Sequence, residues 1–570
     1  MLSIQAQQTL SMYTRDGVRL DADVYFPIGT GPFPVLLMRQ PYGRAIASTI
    51  VYAHPRWYAA HGYIVVIQDV RGRGTSEGEF SLFAHEVADG EDTVQWAAQL
   101  SGGNGLPSSD GQVAMYGFSY QGMTQLQAAQ ATPPALKTVV PAMTGYHLYE
   151  DWAYENGALC FQLGLTWAVQ LAAESARIKS ARIKGACQTY QDLAAAARNL
   201  PLAEAIPACP KILEGTETFW HDWVRASQGD RYWQQLTPQL DNVDLPMLHI
   251  GGWFDPYLRG DLRLYQEMAA RSQHLHHLWI GPWMHIPWHR KVGEMDFGPA
   301  AISPVDHLQI QWFDAILKGK AEVELKQSPP IHLFEMGRNQ WRSLDAWPAS
   351  TELIEQTKTY FLSSSGLANI REDSGALSEV PAKMQPVKIR SADTLVHDPW
   401  NPCPSVGGHS SLPAGVFERT AVDARGDVLT YTSAPLNREL RVVGTAEVVG
   451  AIISSTPSYD LCAVLSRVKD GRVYNLTQGY GRFESSKASS IVLPLHPTCF
   501  NIFSGECLRL SLSAACYPAF LVNTGTGAPI HQSRAIDAQI ITLTLTTGGG
   551  DSNPQMNQPS FRLKLPVTLD

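Results

Sequence analysis

The chain has 570 residues, of which 44% are hydrophobic and 17% are charged. This balance is typical of a folded protein with a sizeable core and excludes a disordered chain. The 44 basic and 53 acidic side chains give a formal net charge of −9, which provides no attraction to nucleic acid or to an anionic membrane. The eight cysteines include no Cys-x-x-Cys pair, so we expect free, mostly buried thiols in a reducing compartment.

The N-terminal residues lack the features of a secretory signal, because no basic start precedes an apolar run. No stretch of about 18 or more apolar residues occurs, so no membrane span is predicted. We therefore expect a cytoplasmic protein. At roughly 150 residues per domain the length predicts about four domains, and two or three large ones fit equally well.

Six short apolar runs in the first half predict strands that are buried on both faces. They occupy residues 34–38, 63–68, 112–116, 137–142, 246–250 and 277–280. Helical patterns lie between them, for example at 86–98 and 120–131. Strands that alternate with helices indicate an α/β fold with a mostly parallel sheet covered on both faces.

Two segments depart from this alternation. Residues 146–239 are rich in Ala, Gln and Trp, and helices predicted at 165–186 and 190–199 would form a helical cap inserted between two strands. From residue 328 short alternating strands recur, which predicts a β-sandwich such as a jelly roll. These strands are predicted at 331–335, 359–362, 428–432, 439–443, 460–468, 472–477, 506–512 and 538–545. We therefore predict a catalytic domain formed by 1–145 and 240–327, a cap at 146–239 and a jelly-roll domain at 328–570.

The sequence GFSYQG at 117–122 follows a predicted strand and opens a predicted helix. A serine on such a tight turn stands clear of the sheet, and the start of the helix stabilises developing negative charge. The pattern departs from Gly-x-Ser-x-Gly, because Gln121 occupies the second glycine position. An ordinary turn serine is the alternative, but the strand–turn–helix context favours Ser119 as a nucleophile.

A nucleophilic serine needs a base, and the base needs an orienting carboxylate. Asp255 ends GGWFD (251–255) just past one predicted strand, and His285 ends GPWMH (281–285) just past the next. In α/β-hydrolases these groups follow in the order Ser, Asp or Glu, His, on separate loops. Taken singly, Asp255 fits a turn and His285 fits a surface position, whereas their joint order predicts a catalytic triad.

These motifs, with RQPY (39–42) and QDVRGRGTSEG (68–78), resemble those of the cocaine-esterase-like hydrolases. That family is related to X-prolyl dipeptidyl aminopeptidases and α-amino acid ester hydrolases. The motifs MGRNQW (336–341) and DPWNPCP (398–404) extend the resemblance over most of the chain. The resemblance implies an α/β-hydrolase core, a helical cap and a C-terminal jelly roll, in agreement with the pattern of strands and helices.

The resemblance also implies individual roles. Ser119 would be the nucleophile, His285 the general base and then acid, and Asp255 the group that orients the imidazole. The hydroxyl of Tyr42 and the backbone N–H of Tyr120 would hold the oxyanion. An aromatic side chain packed behind a proline turn is the alternative interpretation of Tyr42. No metal and no organic cofactor is required.

Two other clusters are interpreted as structural. The glycines of the stretch 68–78 do not have the spacing of a dinucleotide-binding loop, so we predict a structural loop with an ion pair to Arg71 or Arg73. His274, His276 and His277 are close in sequence, but no nearby carboxylate completes a metal site.

Three aromatic residues are candidates for the substrate pocket. Trp152 and Trp167 lie in the predicted cap and Tyr257 lies two residues past Asp255, which suits an apolar or aromatic group. For each tryptophan, a structural role in the core of the predicted cap helices is an equally good interpretation.

Acidic residues bear on the charge of the substrate. In the related α-amino acid ester hydrolases, carboxylates that bind the substrate ammonium closely follow the catalytic aspartate, where this chain has Tyr257 and Leu258. Glu150, Asp151 and Glu155 of the predicted cap could still supply such carboxylates.

We predict a serine hydrolase that cleaves a carboxylic ester through an acyl-enzyme. Amide hydrolysis by the same triad, as in a dipeptidyl peptidase or a β-lactam-type acylase, is the nearest alternative. A non-catalytic binding protein on a hydrolase scaffold is a third, because a fold alone does not prove catalysis. The expected partner is a small ester or amide, with no nucleic acid and no membrane, and a homodimer is compatible with the sequence.

Overall fold

A computed structural model describes residues 1–45, 49–101, 107–182, 187–200, 208–347, 357–379, 392–484, 489–547 and 560–568. The helix predicted at 165–186 is present from Phe161 to Arg182, and its last predicted residues, 183–186, lie outside the described residues. All eight cysteines are free and five of them are buried, which confirms the prediction for the thiols.

A ten-stranded sheet carries the first half of the chain. Its strands lie in the order β1-β2-β4-β3-β5-β6-β7-β8-β9-β10, and all pairs from β4 to β9 are parallel. Each of the six predicted strands is present, so the mostly parallel α/β sheet is confirmed. The strands are β1 (Gln8–Tyr13), β2 (Arg19–Tyr25), β3 (Phe33–Gln40), β4 (Ile64–Asp69), β5 (Ser109–Phe118), β6 (Leu136–Ala142), β7 (Met247–Phe254), β8 (His276–Met284), β9 (Ile331–Glu335) and β10 (Gln340–Leu344).

Helices cover the sheet and form most of the segment between β6 and β7. That segment has its own apolar core, which also includes Tyr120 and Tyr257 from the sheet side. Among the described residues, no helix is long and apolar enough to cross a membrane. The helices are α1 (Pro55–Ala60), α2 (Glu86–Ala98), α3 (Tyr120–Gln130), α4 (Phe161–Arg182), α5 (Cys187–Arg198), α6 (Trp220–Arg225), α7 (Arg231–Leu236), α8 (Leu258–Arg271), α9 (Val305–Lys318) and α10 (Glu322–Gln327).

The strand predicted at 331–335 belongs to the first sheet, and its assignment to the C-terminal sandwich was wrong. It is β9, which pairs in parallel with β8, and β10 returns antiparallel beside it. The first sheet therefore continues past the predicted domain boundary at residue 327. A short apolar strand carries no local signal that tells which of two sheets it joins.

The C-terminal part of the chain forms a mostly antiparallel sheet of eleven strands. A separate two-stranded pair, Leu440–Gly444 with Thr498–Ile502, lies beside it. The buried apolar residues of this region share one core with Trp253, Ile280 and Leu333 of the first sheet. The eleven strands are Thr357–Ser363, Ala376–Ser378, Ala392–His397, Val428–Ser433, Glu447–Ser454, Ser458–Lys469, Arg472–Glu484, Ser489–Pro494, Cys507–Ser513, Ile541–Thr546 and Arg562–Pro566.

Glu155 joins three parts of the chain and is only 2% exposed. Its carboxylate accepts hydrogen bonds from Arg259 Nη1 of α8 and from His409 Nε2, each at 2.7 Å. The backbone N–H of Tyr480 in the C-terminal sheet donates to the other carboxylate oxygen at 3.2 Å. Burial would raise the pKa of Glu155, but the charge of Arg259 and the bond from His409 lower it to about 2.

The variant Glu155→Gln is expected to lower the free energy of unfolding by about 3 kcal/mol near pH 7, because the half-buried Arg259 loses its ion-pair partner. Since the folded-state pKa is lowered, this stabilisation is present above the ordinary glutamate pKa of about 4.3 and is lost as the pH falls towards 2. Melting temperatures of wild type and variant should therefore converge as the pH falls from about 5 to about 2.

The matched control is Glu217→Gln, which removes an exposed pair with Lys179 and should leave the melting temperature unchanged. If the melting temperatures of Glu155→Gln and wild type differed by the same amount at every pH, the stabilisation could not come from the charge of Glu155.

Candidate active site

Ser119 occupies a strained turn between β5 and α3. Its backbone has φ 60° and ψ −125°, a region that residues other than glycine rarely adopt. The turn is fixed from outside, because Ser119 N–H donates to Ala142 O at 2.9 Å and Thr144 Oγ1 donates to Ser119 O at 3.0 Å. This conformation lifts the serine hydroxyl above the end of the sheet.

The departure from Gly-x-Ser-x-Gly has a structural explanation. The side chain of Gln121 folds back over the turn, where its Oε1 accepts the Phe118 N–H at 3.2 Å. A Cβ atom on Gly117 would lie 2.4 Å from Gln121 Cβ, so this position requires glycine. A Cβ on Gly122 would lie 2.8 Å from Thr144 Cβ, so Gly122 allows the close approach of the helix to its neighbour.

Asp255 and His285 directly follow the neighbouring parallel strands β7 and β8. His285 Nδ1 lies 2.7 Å from Asp255 Oδ2, and Asp255 is completely buried. The Tyr257 N–H donates to the other oxygen of Asp255 at 2.7 Å. Because an ionised carboxylate only accepts hydrogen bonds, Nδ1 is the donor in this pair, and in the neutral imidazole Nε2 is then the nitrogen without a proton. His285 and Ser119 line the same cavity, so Nε2 is the nitrogen that can act on the Ser119 hydroxyl.

Tyr42 stands two residues past β3 at the same edge of the sheet. Its hydroxyl oxygen accepts a hydrogen bond from Trp167 Nε1 at 3.1 Å. An indole N–H can only donate, so the Tyr42 proton stays available for an acceptor in the cavity. Burial raises the pKa of Tyr42 to about 12, so the phenol remains protonated at neutral pH.

The loop that carries Tyr42 is held by the buried Asp69 at the end of β4. Asp69 Oδ1 accepts the side-chain N–H of Gln40 at 3.1 Å and the backbone N–H of Arg44 at 2.7 Å. A Cβ atom on Gly74 would overlap the Asp69 carboxylate, which explains one glycine of the stretch 68–78. The predicted ion pair exists at Arg71, which contacts both Asp89 and Asp16.

Tyr120 is not among the residues that line the cavity, and its side chain is bonded elsewhere. Its buried hydroxyl donates to Glu86 Oε1 at 2.8 Å, and Glu86 pairs with Arg39 behind α3. As the first residue of α3, Tyr120 has an N–H without an intrahelical acceptor, which is suited to bind an anion.

A cavity of about 240 Å³ lies in front of Ser119 and His285. Two of the three predicted pocket residues, Trp167 and Tyr257, line it, whereas Trp152 does not and stacks behind Trp167 with ring centres 5.4 Å apart. Its described lining consists of Tyr42, Ile50, Phe118, Ser119, Gln121, Leu163, Thr166, Trp167, Gln170, Tyr257, His285, Ile286 and Leu412.

Several lining residues were not predicted. Leu163, Thr166 and Gln170 share one face of α4 with Trp167, so helical periodicity could have identified them. Leu412 comes from the C-terminal half, more than a hundred residues past His285, and no sequence signal links it to the triad.

The three carboxylates predicted as ammonium ligands do not line the cavity. Glu150 and Asp151 both contact the Arg263 guanidinium, and Glu155 contacts Arg259. The described residues that line the cavity include no aspartate, glutamate, lysine or arginine. An ammonium group in this cavity would therefore find no carboxylate partner among them.

The histidine cluster lies away from this site. Nδ1 of His276 lies 3.2 Å from His249 Nε2, and burial lowers the pKa of His276 to about 4. In the part of the chain that the structure describes, no group of three or more His, Cys, Asp or Glu side chains could hold a metal ion.

The fold and this site define the chain as an α/β-type serine hydrolase. Residues 16–287 match the family model of X-Pro dipeptidyl-peptidase (S15 family), and residues 323–552 match the C-terminal non-catalytic domain of X-Pro dipeptidyl-peptidase. Cocaine esterase of Rhodococcus sp. (strain MB1 Bresler) is 30% identical over 554 residues, which cover 91% of this chain and 92% of that esterase. The chain therefore belongs to the cocaine-esterase-like branch of the S15-type serine hydrolases.

Solved structures agree with this fold. An aminopeptidase from the marine sediment archaeon Thaumarchaeota archaeon superimposes with a TM-score of 0.76 at 22% identity, covering 98% of this chain and 96% of that chain. An α-amino acid ester hydrolase superimposes with a TM-score of 0.76 at 21% identity, covering 99% and 96%. Such likeness shows that the fold is shared over nearly the whole chain.

Loss of the Tyr42 hydroxyl tests its place in the site. We expect Tyr42→Phe to lower kcat about 100- to 1000-fold with little change in KM, because an oxyanion donor acts mainly in the transition state. Steady-state kinetics on an activated ester would measure this. The control is Tyr154→Phe, which removes a hydroxyl bonded to Trp223 O outside the cavity and should keep kcat. If Tyr42→Phe retained the wild-type kcat, the Tyr42 hydroxyl would be excluded as an oxyanion donor.

Proposed function

We propose that this chain hydrolyses carboxylic esters through an acyl-enzyme on Ser119. His285 Nε2 takes the hydroxyl proton as Ser119 Oγ attacks the carbonyl carbon, and Asp255 stabilises the imidazolium. The Tyr42 hydroxyl and the Tyr120 N–H donate to the oxyanion. His285 then protonates the departing alcohol. Water, activated by the same nitrogen, attacks the acyl carbonyl, releases the acid and restores the serine.

The observation that carries the proposal is one cavity lined by Ser119, His285 and Tyr42, with the 2.7 Å bond from His285 to Asp255 behind it. A binding site without chemistry would need neither this strained serine nor a buried carboxylate that orients a histidine. The relationship to cocaine esterase supports ester chemistry.

The cavity favours an uncharged substrate with an apolar or aromatic group. Aromatic and aliphatic side chains dominate its lining, and its described part carries no carboxylate for an ammonium. At its mouth Ile50, Ile286 and Leu412 are 46%, 45% and 46% exposed and offer apolar contact to a second substituent.

Amide hydrolysis is the second candidate, because residues 16–287 match a dipeptidyl-peptidase family. An enzyme that removes dipeptides must recognise the α-ammonium of its substrate. With Glu150, Asp151 and Glu155 bonded to arginines, that recognition lacks a partner among the described residues, and ester hydrolysis is favoured.

We further propose that the helical segment and the C-terminal region each form part of the cavity. The helical segment 146–239 acts as a cap, because α4 supplies one wall of the cavity. The C-terminal jelly roll completes the rim through Leu412, whose N–H donates to Gln162 Oε1 of α4 at 3.0 Å. The catalytic region would then comprise residues 1–145 and 240–344, including β9 and β10.

Three matched substrates test this proposal: the p-nitrophenyl esters of phenylacetic acid and of phenylglycine, and phenylacetyl-p-nitroanilide. The two esters differ only in an ammonium, and the anilide only in its leaving group. We expect kcat/KM to be highest for the phenylacetate ester, by about 100-fold or more, because an unpaired ammonium must be desolvated in the cavity. Ser119→Ala should abolish turnover.

Preference for the anilide would reassign the chain as an amidase. Preference for the phenylglycine ester would show that an ammonium site exists after all. Equal rates in wild type and Ser119→Ala would remove the triad from the account.

A further inference from the structure

Arg73 is a buried cation for which the described residues provide no anionic partner. It is 1% exposed, and burial lowers the pKa of its guanidinium to about 10, so it is still charged at neutral pH. Nη1 donates to Leu171 O at 3.1 Å, and Nε has no hydrogen-bond partner. Among the residues that the structure describes, no carboxylate forms an ion pair with Arg73. A buried charge of this kind is unfavourable unless something requires it.

The neighbouring arginines are paired in the ordinary way. Arg71, two residues earlier in the same loop, contacts Asp89 at 2.7 Å and Asp16 at 2.8 Å. Glu174 is the acidic residue whose charge reaches Arg73, but both of its oxygens accept hydrogen bonds from Arg177. Within the described segments, therefore, no contacting anion neutralises the charge of Arg73.

A series of aromatic contacts connects Arg73 to Tyr42, the proposed oxyanion donor. Its guanidinium lies 3.6 Å from the centre of the Phe80 ring. The Phe80 ring is 6.2 Å from the Tyr120 ring, and the Tyr120 ring is 6.5 Å from that of Tyr42. Leu171, which accepts the Arg73 bond, lies one helical turn after Trp167 on α4, and Trp167 donates to the Tyr42 hydroxyl.

We propose that Arg73 is a positioning residue for the oxyanion site, which acts through Tyr42 by its uncancelled positive charge and by its bond to the helix that carries Trp167. The proposal rests on the ester hydrolysis proposed above. The positive charge of Arg73 would make the Tyr42 hydroxyl a stronger hydrogen-bond donor to the oxyanion.

This arrangement should act on the chemical step. Negative charge on the carbonyl oxygen is small in the bound ester and large in the tetrahedral transition state. Because Arg73 is buried, its charge is weakly screened, and it makes the Tyr42 hydroxyl a stronger hydrogen-bond donor to that developing charge. Arg73 does not line the cavity, so it adds little to substrate binding.

Arg73→Met keeps the length of the side chain and removes the charge. We expect kcat to fall about tenfold, less than for a direct oxyanion donor, with KM unchanged within about twofold. The melting temperature should not fall, because an unpaired buried charge is removed. Arg73→Lys, which retains the charge, should recover most of kcat. The control Arg71→Met removes a paired arginine of the same loop, and it should lower stability but keep kcat.

A double-mutant cycle tests whether Arg73 acts through Tyr42. In the Tyr42→Phe background, Arg73→Met should have almost no further effect on kcat. A trifluoromethyl ketone, whose adduct carries an oxyanion, should bind more weakly to Arg73→Met by the same factor as the loss in kcat/KM.

Three results would overturn the proposal: unchanged kcat in Arg73→Met, a fall that Arg73→Lys does not restore in folded protein, or equal effects with and without the Tyr42 hydroxyl. Absence of esterase activity in the wild type would instead reject the proposed function, so the two failures are distinguishable.

Discussion

Four parallel strands end at one edge of the first sheet, and each proposed catalytic group is attached close to one of those ends. Tyr42 follows β3, Ser119 follows β5, and Asp255 and His285 follow β7 and β8. Because β7 and β8 are neighbours, their ends lie close enough for the 2.7 Å bond between carboxylate and imidazole. Strand pairing therefore brings these groups to one edge of the sheet, and the strained turn of Ser119 and the loop of Tyr42 complete their placement.

The distribution of buried charge decides what this site accepts. Glu150, Asp151 and Glu155 are bonded to arginines of α8, and the described lining of the cavity carries no permanent charge. Glu155 illustrates this, since its bonds also tie the C-terminal sheet to the helix that follows Asp255. Arg73 is the contrasting case, because no carboxylate in the described part of the chain contacts it and its charge faces the aromatic layer behind Tyr42.

Much of the fold follows from the sequence, because strands buried on both faces give continuous apolar runs, as in β4 with IVVIQD. The order of Ser119, Asp255 and His285 is readable because each directly follows such a run. β2 was missed, since the buried Asp21 interrupts its pattern and is stabilised by Ser11, a partner distant in sequence. The sheet that β9 joins and the position of Leu412 at the cavity both depend on tertiary packing. Tertiary packing of this kind leaves no local pattern in the sequence.

The central claim, that Ser119 is a nucleophile activated by His285, is tested most directly by covalent labelling with a fluorophosphonate probe. Intact mass and peptide mapping would be applied to wild type, Ser119→Ala and His285→Asn. The account predicts one adduct per wild-type chain on Ser119, none in Ser119→Ala, and labelling slowed by at least about 100-fold in His285→Asn. An adduct on another residue, undiminished labelling of His285→Asn, or no adduct on folded wild-type protein would contradict it.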